Sequence, residues 1–274
     1  MNALPPQTLQ ILLAVILLEI LWAKRAHRQV HSRAETMTNF ALLLGNHWLK
    51  PVSFAWKALL FGWVQPLAIA DIPVTPLTCV IAFFAVELNY YWYHRLGHQW
   101  PWLWTIHHTH HSGSYMNFTT AIRLNWMGGF MAPFFFLPLV LIGFTPVVVM
   151  LGLAIGLLYQ FFLHTESLGR WGFLEGWLNT PSAHRVHHGS NPRYIDKNYG
   201  AALLVFDRLF GTYQPELEKV NYGVTTGPVS ANPFKVVFAP LWQWSMGELK
   251  LEKGPESAVE TEAPAKDLLG KGAF

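Results

Sequence analysis

Cysteine is nearly missing: Cys79 is the only one among 274 residues. A single thiol excludes an intramolecular disulfide, a thiolate zinc site and a cysteine-ligated iron–sulfur cluster. It leaves Cys79 as a small apolar filler within a helix. Charge is scarce as well, at 13% of residues, against about 25% in an ordinary soluble domain. The basic residues form no stripe interleaved with stacking aromatics, which argues against a nucleic-acid partner. The amino terminus lacks a basic leader and a small-residue cleavage site, so the apolar run Leu4–Ala23 is not read as a removed signal peptide. It is expected to be an uncleaved membrane anchor.

What fills the space is apolar. Hydrophobic residues make up 52% and aromatics 15%, and the mean hydropathy is +0.24. These values suit a membrane protein or an unusually apolar soluble one. The net charge of +3 leans mildly towards anionic lipid headgroups. Lys24, Arg25, Arg28 and Arg33 follow the first apolar run and are expected to stay cytoplasmic.

Four further stretches are candidate spans: Val52–Ala70, Val74–Tyr93, Trp126–Phe144 and Pro146–Thr165. Short connections near Asp71–Pro76 and Gly143–Pro146 pair them into two helical hairpins. The expected fold is all-α, with about four to five membrane helices under a cytosolic, histidine-rich helical cap. In this topology every histidine cluster reaches the cytoplasmic side, provided that Val52–Ala70 enters the bilayer. An inner membrane of bacterial type fits the pattern, with the carboxy terminus also cytoplasmic. The domain reading is an anchor and basic segment over 1–35, a membrane domain with its cap over 36–250, and a disordered tail over 251–274. That tail is rich in Glu, Ala, Pro, Lys and Gly and lacks apolar periodicity.

Histidine is the residue in excess, with thirteen copies. Eight fall into three patterned clusters: His94 and His98; His107, His110 and His111; and His184, His187 and His188. Spacings of three and four residues gather side chains on one helix face, and Thr180-Pro181 supplies a helix start just ahead of the third cluster. Imidazole is a preferred ligand for iron, zinc, copper and nickel. Zinc is commonly satisfied by about four ligands, or three plus water. Eight or nine histidines therefore indicate two metal ions. His164 ends the last candidate span and is the ninth candidate ligand.

The remaining polar residues rank lower. His108 points about 100° away from His107 and is read as a supporting or surface group. His27, His31 and His47 fall outside the pattern and are read as headgroup contacts. Glu87 lies seven residues before His94 on nearly the same helix face. It is either a bridging or supporting acceptor or a structural acid with its own partner. Glu166, Asp196 and Asp207 could accept imidazole N–H bonds, or could serve as caps and ion-pair partners of Arg193 and Arg208. The aromatic stripes are core and lipid contact before they are a substrate cage.

The three clusters resemble those of the fatty acid hydroxylase/sterol desaturase superfamily of membrane di-iron oxygenases. The likeness is densest from Asn179 to Gly200 (NTPSAHRVHHGSNPRYIDKNYG), in Phe206–Thr212 (FDRLFGT) and in His164-Thr-Glu166. These strings are similar to the alkylglycerol monooxygenase-like branch and its bacterial sterol desaturase relatives, and the likeness covers about residues 80–215. It implies membrane helices beneath a cytosolic cap, two iron ions, dioxygen as co-substrate and a separate electron donor of ferredoxin, cytochrome b5 or reductase type. Carried across by position, the metal ligands are His94, His98, His107, His110, His111, His164, His184, His187 and His188. One departure stands out. Where that branch carries an acidic residue shortly after the second cluster, this chain reads Ser112-Gly113-Ser114, which weakens any transfer of an ether-lipid substrate or a pterin requirement.

The resulting expectation is a membrane-bound oxidoreductase that hydroxylates or desaturates a lipid C–H bond, with sterol, fatty acyl, ether-lipid and aminolipid substrates all open. Two other classes compete. A metal transporter or sensor would place its site near the bilayer midplane on broken helices, whereas these histidines gather at helix ends. A zinc hydrolase would need the glutamate of an HExxH helix, which no cluster carries.

Overall fold

The computed structural model describes residues 6–226, 229–249 and 251. Among these residues the architecture is all-helical, and strand pairing is limited to isolated bridges in the cap, such as Gly189 with Tyr222. Nine α-helices are described: α1 (Pro6–Arg25), α2 (Arg33–Val64), α3 (Pro76–Gln99), α4 (Pro101–His111), α5 (Gly128–Ile142), α6 (Pro146–Phe161), α7 (Pro181–His187), α8 (Val205–Leu209) and α9 (Pro233–Ser245). The tail expected to be disordered lies outside the described residues, Leu251 excepted.

Local chemistry sets the boundaries that matter. α3 opens with a capping box between Thr75 and Thr78, with Pro76 at the first helical position. Trp100 is at once the last cap of α3 and the first of α4, and Pro101 begins the new helix. This one-residue joint folds α4 back so that the histidines of both helices meet. The two connections fall where they were expected, α2 to α3 across 65–75 and α5 to α6 across 143–145, but only α5 and α6 pack on each other as a hairpin, whereas α2 packs on α5 rather than on α3. The second turn requires Gly143, which sits at φ +124°. A Cβ there would lie 2.3 Å from the Ala70 carbonyl oxygen.

α2 packs on α5, and α3 on α6. Their shared core is Phe61, Ala82, Val86, Phe136, Val140 and Val149, each larger side chain contributing about 1.5–3 kcal/mol on full burial. The histidine helix α4 lies between α3 and α9. α1 is no free-standing anchor. Ile16 packs against Phe118 and Phe161, and the buried Glu19 accepts the Phe118 N–H at 2.7 Å and the Thr165 hydroxyl.

The expected full-length spans need correction. Among the described residues no helix is long and apolar enough to cross a membrane. Trp126–Phe144 and Pro146–Thr165 yield helices of only 15 and 16 residues. At 1.5 Å per residue they rise roughly 23 Å, short of a hydrocarbon core of about 30 Å. Beyond α6 the second stretch leaves the helix in turns that carry His164. α2 and α3 are longer but carry Asn39, Lys50, Lys57, Glu87 and the first two cluster histidines.

Candidate metal centre

The four segments that carry the histidines converge. The ligand-capable nitrogens form two groups, each with all its atoms within 4.8 Å of one another. One group holds His94, His98, His107, His111 and His187; the other holds His110, His164, His184 and His188. All nine candidate residues are therefore brought together, His164 included. The division, however, does not follow the sequence clusters. The i, i+4 pairs 94/98 and 107/111 go to one group and 184/188 to the other, while His187 and His110 cross over. Each longer cluster contributes to both positions because residues i+3 and i+4 stand about 100° apart on the helix. The groups abut, with the rings of His111 and His188 stacked at 4.4 Å.

Backbone carbonyls fix the rings. His94 Nδ1 faces the Tyr199 carbonyl at 2.7 Å, His187 Nδ1 that of Lys197 at 2.9 Å, His164 Nδ1 that of Gln160 at 2.7 Å, and His110 Nδ1 that of Arg123 at 3.3 Å. Each carbonyl can only accept, so the proton is held on Nδ1 and the Nε2 lone pair is turned inward. The inward nitrogens crowd: His94 and His107 Nε2 lie 2.9 Å apart, and His164 and His184 Nε2 lie 3.0 Å apart. The Nε2 atoms of His98, His187 and His188 are buried with no protein partner. Buried polar atoms rarely go unpaired, and a ring of converging acceptors with nothing to accept from is what a cation would satisfy.

Burial first, and neighbouring imidazoles second, hold His107, His111, His184, His187 and His188 well below the ordinary histidine range; His110 follows the same order of causes. They are neutral near pH 7, the form that binds metal. His108 is buried against Trp104, belongs to neither group, and is pushed down to about 4 by burial and then by Arg123.

The acids behave differently from the roles considered for them. Glu87 reaches no histidine and accepts the N–H groups of Ala202 and Leu203, both at 2.9 Å. Asp207 accepts no imidazole proton either. It receives Tyr199 N–H, Gly200 N–H and the Thr212 hydroxyl at 2.7–2.8 Å. Glu166 is exposed and joins neither group. Asp196 alone approaches a ring, with Oδ1 3.6 Å from His98 Nδ1. His27 and His47 are exposed and His31 is partly buried, all three away from both groups.

Several supporting groups have no side-chain signature in the sequence. The backbone of Lys197 and Tyr199 orients two ligand candidates, and residue type says nothing about a carbonyl. Arg123 is also new. Its buried guanidinium donates to the Thr109 carbonyl at 2.9 Å, to Ser112 Oγ at 2.8 Å and to Asn39 Oδ1 at 2.9 Å. It thereby caps the end of α4, where a cation suits the helix dipole. The Ser112-Gly113-Ser114 stretch does meet an acid, brought by α2: the Glu35 carboxylate accepts the Ser114 N–H at 3.0 Å.

The segment that holds the first, second and third clusters, residues 79–212, matches the fatty acid hydroxylase model. Residues 79–212 belong to the fatty acid hydroxylase family. Two alkylglycerol monooxygenases are similar to part of this chain. The Xenopus tropicalis protein is 43% identical over 162 residues, covering 59% of this chain and 36% of the relative. The Homo sapiens protein is 44% identical over 168 residues, covering 61% and 38%. The ornithine lipid hydroxylase OlsE of Rhizobium tropici is 28% identical over 191 residues, covering 68% of this chain and 57% of its own length. The chain thus spans little more than a third of the alkylglycerol monooxygenases it matches. No solved structure gives a significant match.

Proposed function

We propose that this chain is a membrane-associated, di-iron lipid hydroxylase that inserts one atom of dioxygen into a C–H bond. The observation that carries the reading is the pair of all-imidazole groups, five and four nitrogens, with orphaned Nε2 atoms facing inward. Five nitrogens exceed what tetrahedral zinc uses, and imidazole-rich sites with room for a further ligand suit iron. Two bound irons would supply dioxygen activation and C–H cleavage, with two electrons from a separate donor and the second oxygen atom leaving as water.

The protein's own share is placement. Carbonyls of residues 123, 160, 197 and 199 hold the proton on Nδ1 and keep each ring aimed. Burial keeps the imidazoles neutral and excludes bulk water. Tyr90 lies 5.3 Å from the His94 ring and donates to Gln160 Oε1, which ties α3 to α6 directly beside the nitrogens. Tyr90 itself belongs to the apolar core that α3 shares with α5 and α6. The names of the relatives support a membrane lipid with a polar headgroup as substrate, and hydroxylation rather than desaturation as the outcome.

The test is comparative lipidomics of cells expressing the chain, its His187→Ala variant or neither. A lipid heavier by one oxygen atom is expected only with the unaltered chain, together with iron content that falls in His187→Ala. Full oxygen-dependent turnover by the His187→Ala protein would sink the assignment.

A further inference from the structure

The two nitrogen groups differ in how they meet the outside. A cleft in the cap is lined by His98, His111 and His187 of the five-nitrogen group, with Asp196 and the loop 223–226 on its walls. From the four-nitrogen group only His188 reaches it; His110, His164 and His184 do not. The Nε2 atoms of His98, His187 and His188, each on a cleft-lining residue at least nine-tenths buried, have no protein partner, two of the three belonging to the five-nitrogen group.

The walls also differ in kind. Three of the five imidazoles lean on one irregular strap, residues 196–199: His98 on the Asp196 carboxylate, His187 on the Lys197 carbonyl and His94 on the Tyr199 carbonyl. Asp196 and Asn198 in that strap have left-handed backbones, at φ +61° and +58°, a conformation Asp and Asn tolerate better than other L-residues. Asn198 fastens the strap through its amide to the Ala183 and Gln214 carbonyls, at 3.0 and 2.8 Å. The four-nitrogen group has no such wall. His164 is tied to the Gln160 carbonyl at the end of α6, and its Nε2 lies 3.1 Å from His110 and 3.0 Å from His184.

We propose that the five-histidine position exchanges its divalent cation through the cap cleft, with Asp196 drawing the cation in, while the four-histidine position is kinetically closed. This rests on the two-metal reading above. The Asp196 side chain is 32% exposed, so its carboxylate meets an arriving hydrated cation before the imidazoles do and attracts it across the mouth. Among the described residues, a cation leaving the four-histidine position meets this cleft only at His188, so its path out runs past the five-histidine position.

Chelator competition tests this on the full chain in detergent, loaded anaerobically with ferrous iron and challenged with excess ferrozine. Two release phases of one iron each are expected. Thr225→Trp, on the exposed wall of the cleft, should slow the fast phase several-fold and leave the slow phase unchanged. Asp196→Ala should weaken the fast-exchanging iron by roughly tenfold to a hundredfold, the usual cost of losing a group behind a metal ligand, again without touching the slow one. Release of both irons in one phase, or variants that alter both phases alike, would overturn the proposal. Binding of fewer than two irons by the unaltered chain would overturn the two-metal reading itself.

Discussion

At the scale of single residues, the centre is a set of neutral imidazoles kept neutral at a cost in acid. The six cap histidines whose pKa lies well below 6.5 stay unprotonated in the folded chain, while in the unfolded chain they titrate at the ordinary value. Below pH 6.5 the unfolded state therefore binds more protons, and stability falls as pH falls. The metal-free protein should lose thermal stability steadily as the buffer is lowered from neutrality through 6.5, and a flat midpoint across that range would contradict the assignment. His108 provides the contrast. It lies in neither nitrogen group, so His108→Gln should retain both metals, whereas His110→Ala should lose at least one by elemental analysis. Asp207 shows how a buried acid matters without touching a ring. Asp207→Ala strands the Tyr199 and Gly200 N–H groups, at about 1–3 kcal/mol for each buried donor left unpaired, and leaves the Thr212 hydroxyl only the Tyr91 hydroxyl. It should lower the unfolding midpoint and, by shifting the Tyr199 carbonyl, the iron content as well. The imidazoles were legible in the sequence because their spacing repeats. The carbonyls that aim them were not, because a backbone oxygen carries no letter, and Glu87 and Asp207 turned out to serve backbone N–H groups.

At the scale of elements, punctuation was the readable part. Thr180-Pro181 starts α7 as its residue types dictate, and the connections 65–75 and 143–145 fall where apolar runs break. Helix length was not readable, because the apolar runs continue past the helix ends into the cap. α9 was not foreseen at all: it carries no histidine, yet the Asn125 side chain donates to its Val237 carbonyl and Thr109 to its Val236 carbonyl. The division of the nitrogens into five and four was equally hidden, since it depends on which way α4 and α7 are rolled against α3. The element that binds these pieces is the loop 196–204, clamped to α3 by Glu87 and to α8 by Asp207. Glu87→Ala removes the acceptor for two buried N–H groups and should cost roughly 2–5 kcal/mol of stability. Glu87→Gln keeps one carbonyl oxygen and should recover part of it. Equal stability of the alanine variant and the unaltered chain in a denaturant titration would show that the clamp carries no load.

At the scale of the whole molecule, the polar centre sits above a surface that is not dressed for water. α3 presents Leu77, Val80, Ile81 and Phe84 outward at i, i+3, i+4 and i+7, each about half exposed or more. α6 adds Val147, Leu151 and Ile155, and α2 adds Leu44, Trp48 and Val52. Contiguous apolar patches of this kind mark a membrane or protein interface, and two of these helices lead to the histidines at their other ends: α3 carries His94 and His98, and His164 follows α6. No described helix is long and apolar enough to cross a bilayer; under the proposed membrane-associated reading, this belt is the surface that meets lipid. A lipid lying along it would bring its apolar chain to α3 and α6, next to the Tyr90–Gln160 tie beneath the nitrogens. Burying one large apolar side chain in lipid is worth about 1.5–3 kcal/mol, so replacing Leu77, Val80, Ile81 and Phe84 together by serine removes a large part of one helix's hold. That variant should shift measurably from the membrane pellet to the supernatant on cell fractionation while keeping its iron, because none of the four touches a histidine. Unchanged sedimentation would move the lipid contact to another face, and loss of iron would show that the stripe supports the centre rather than the bilayer.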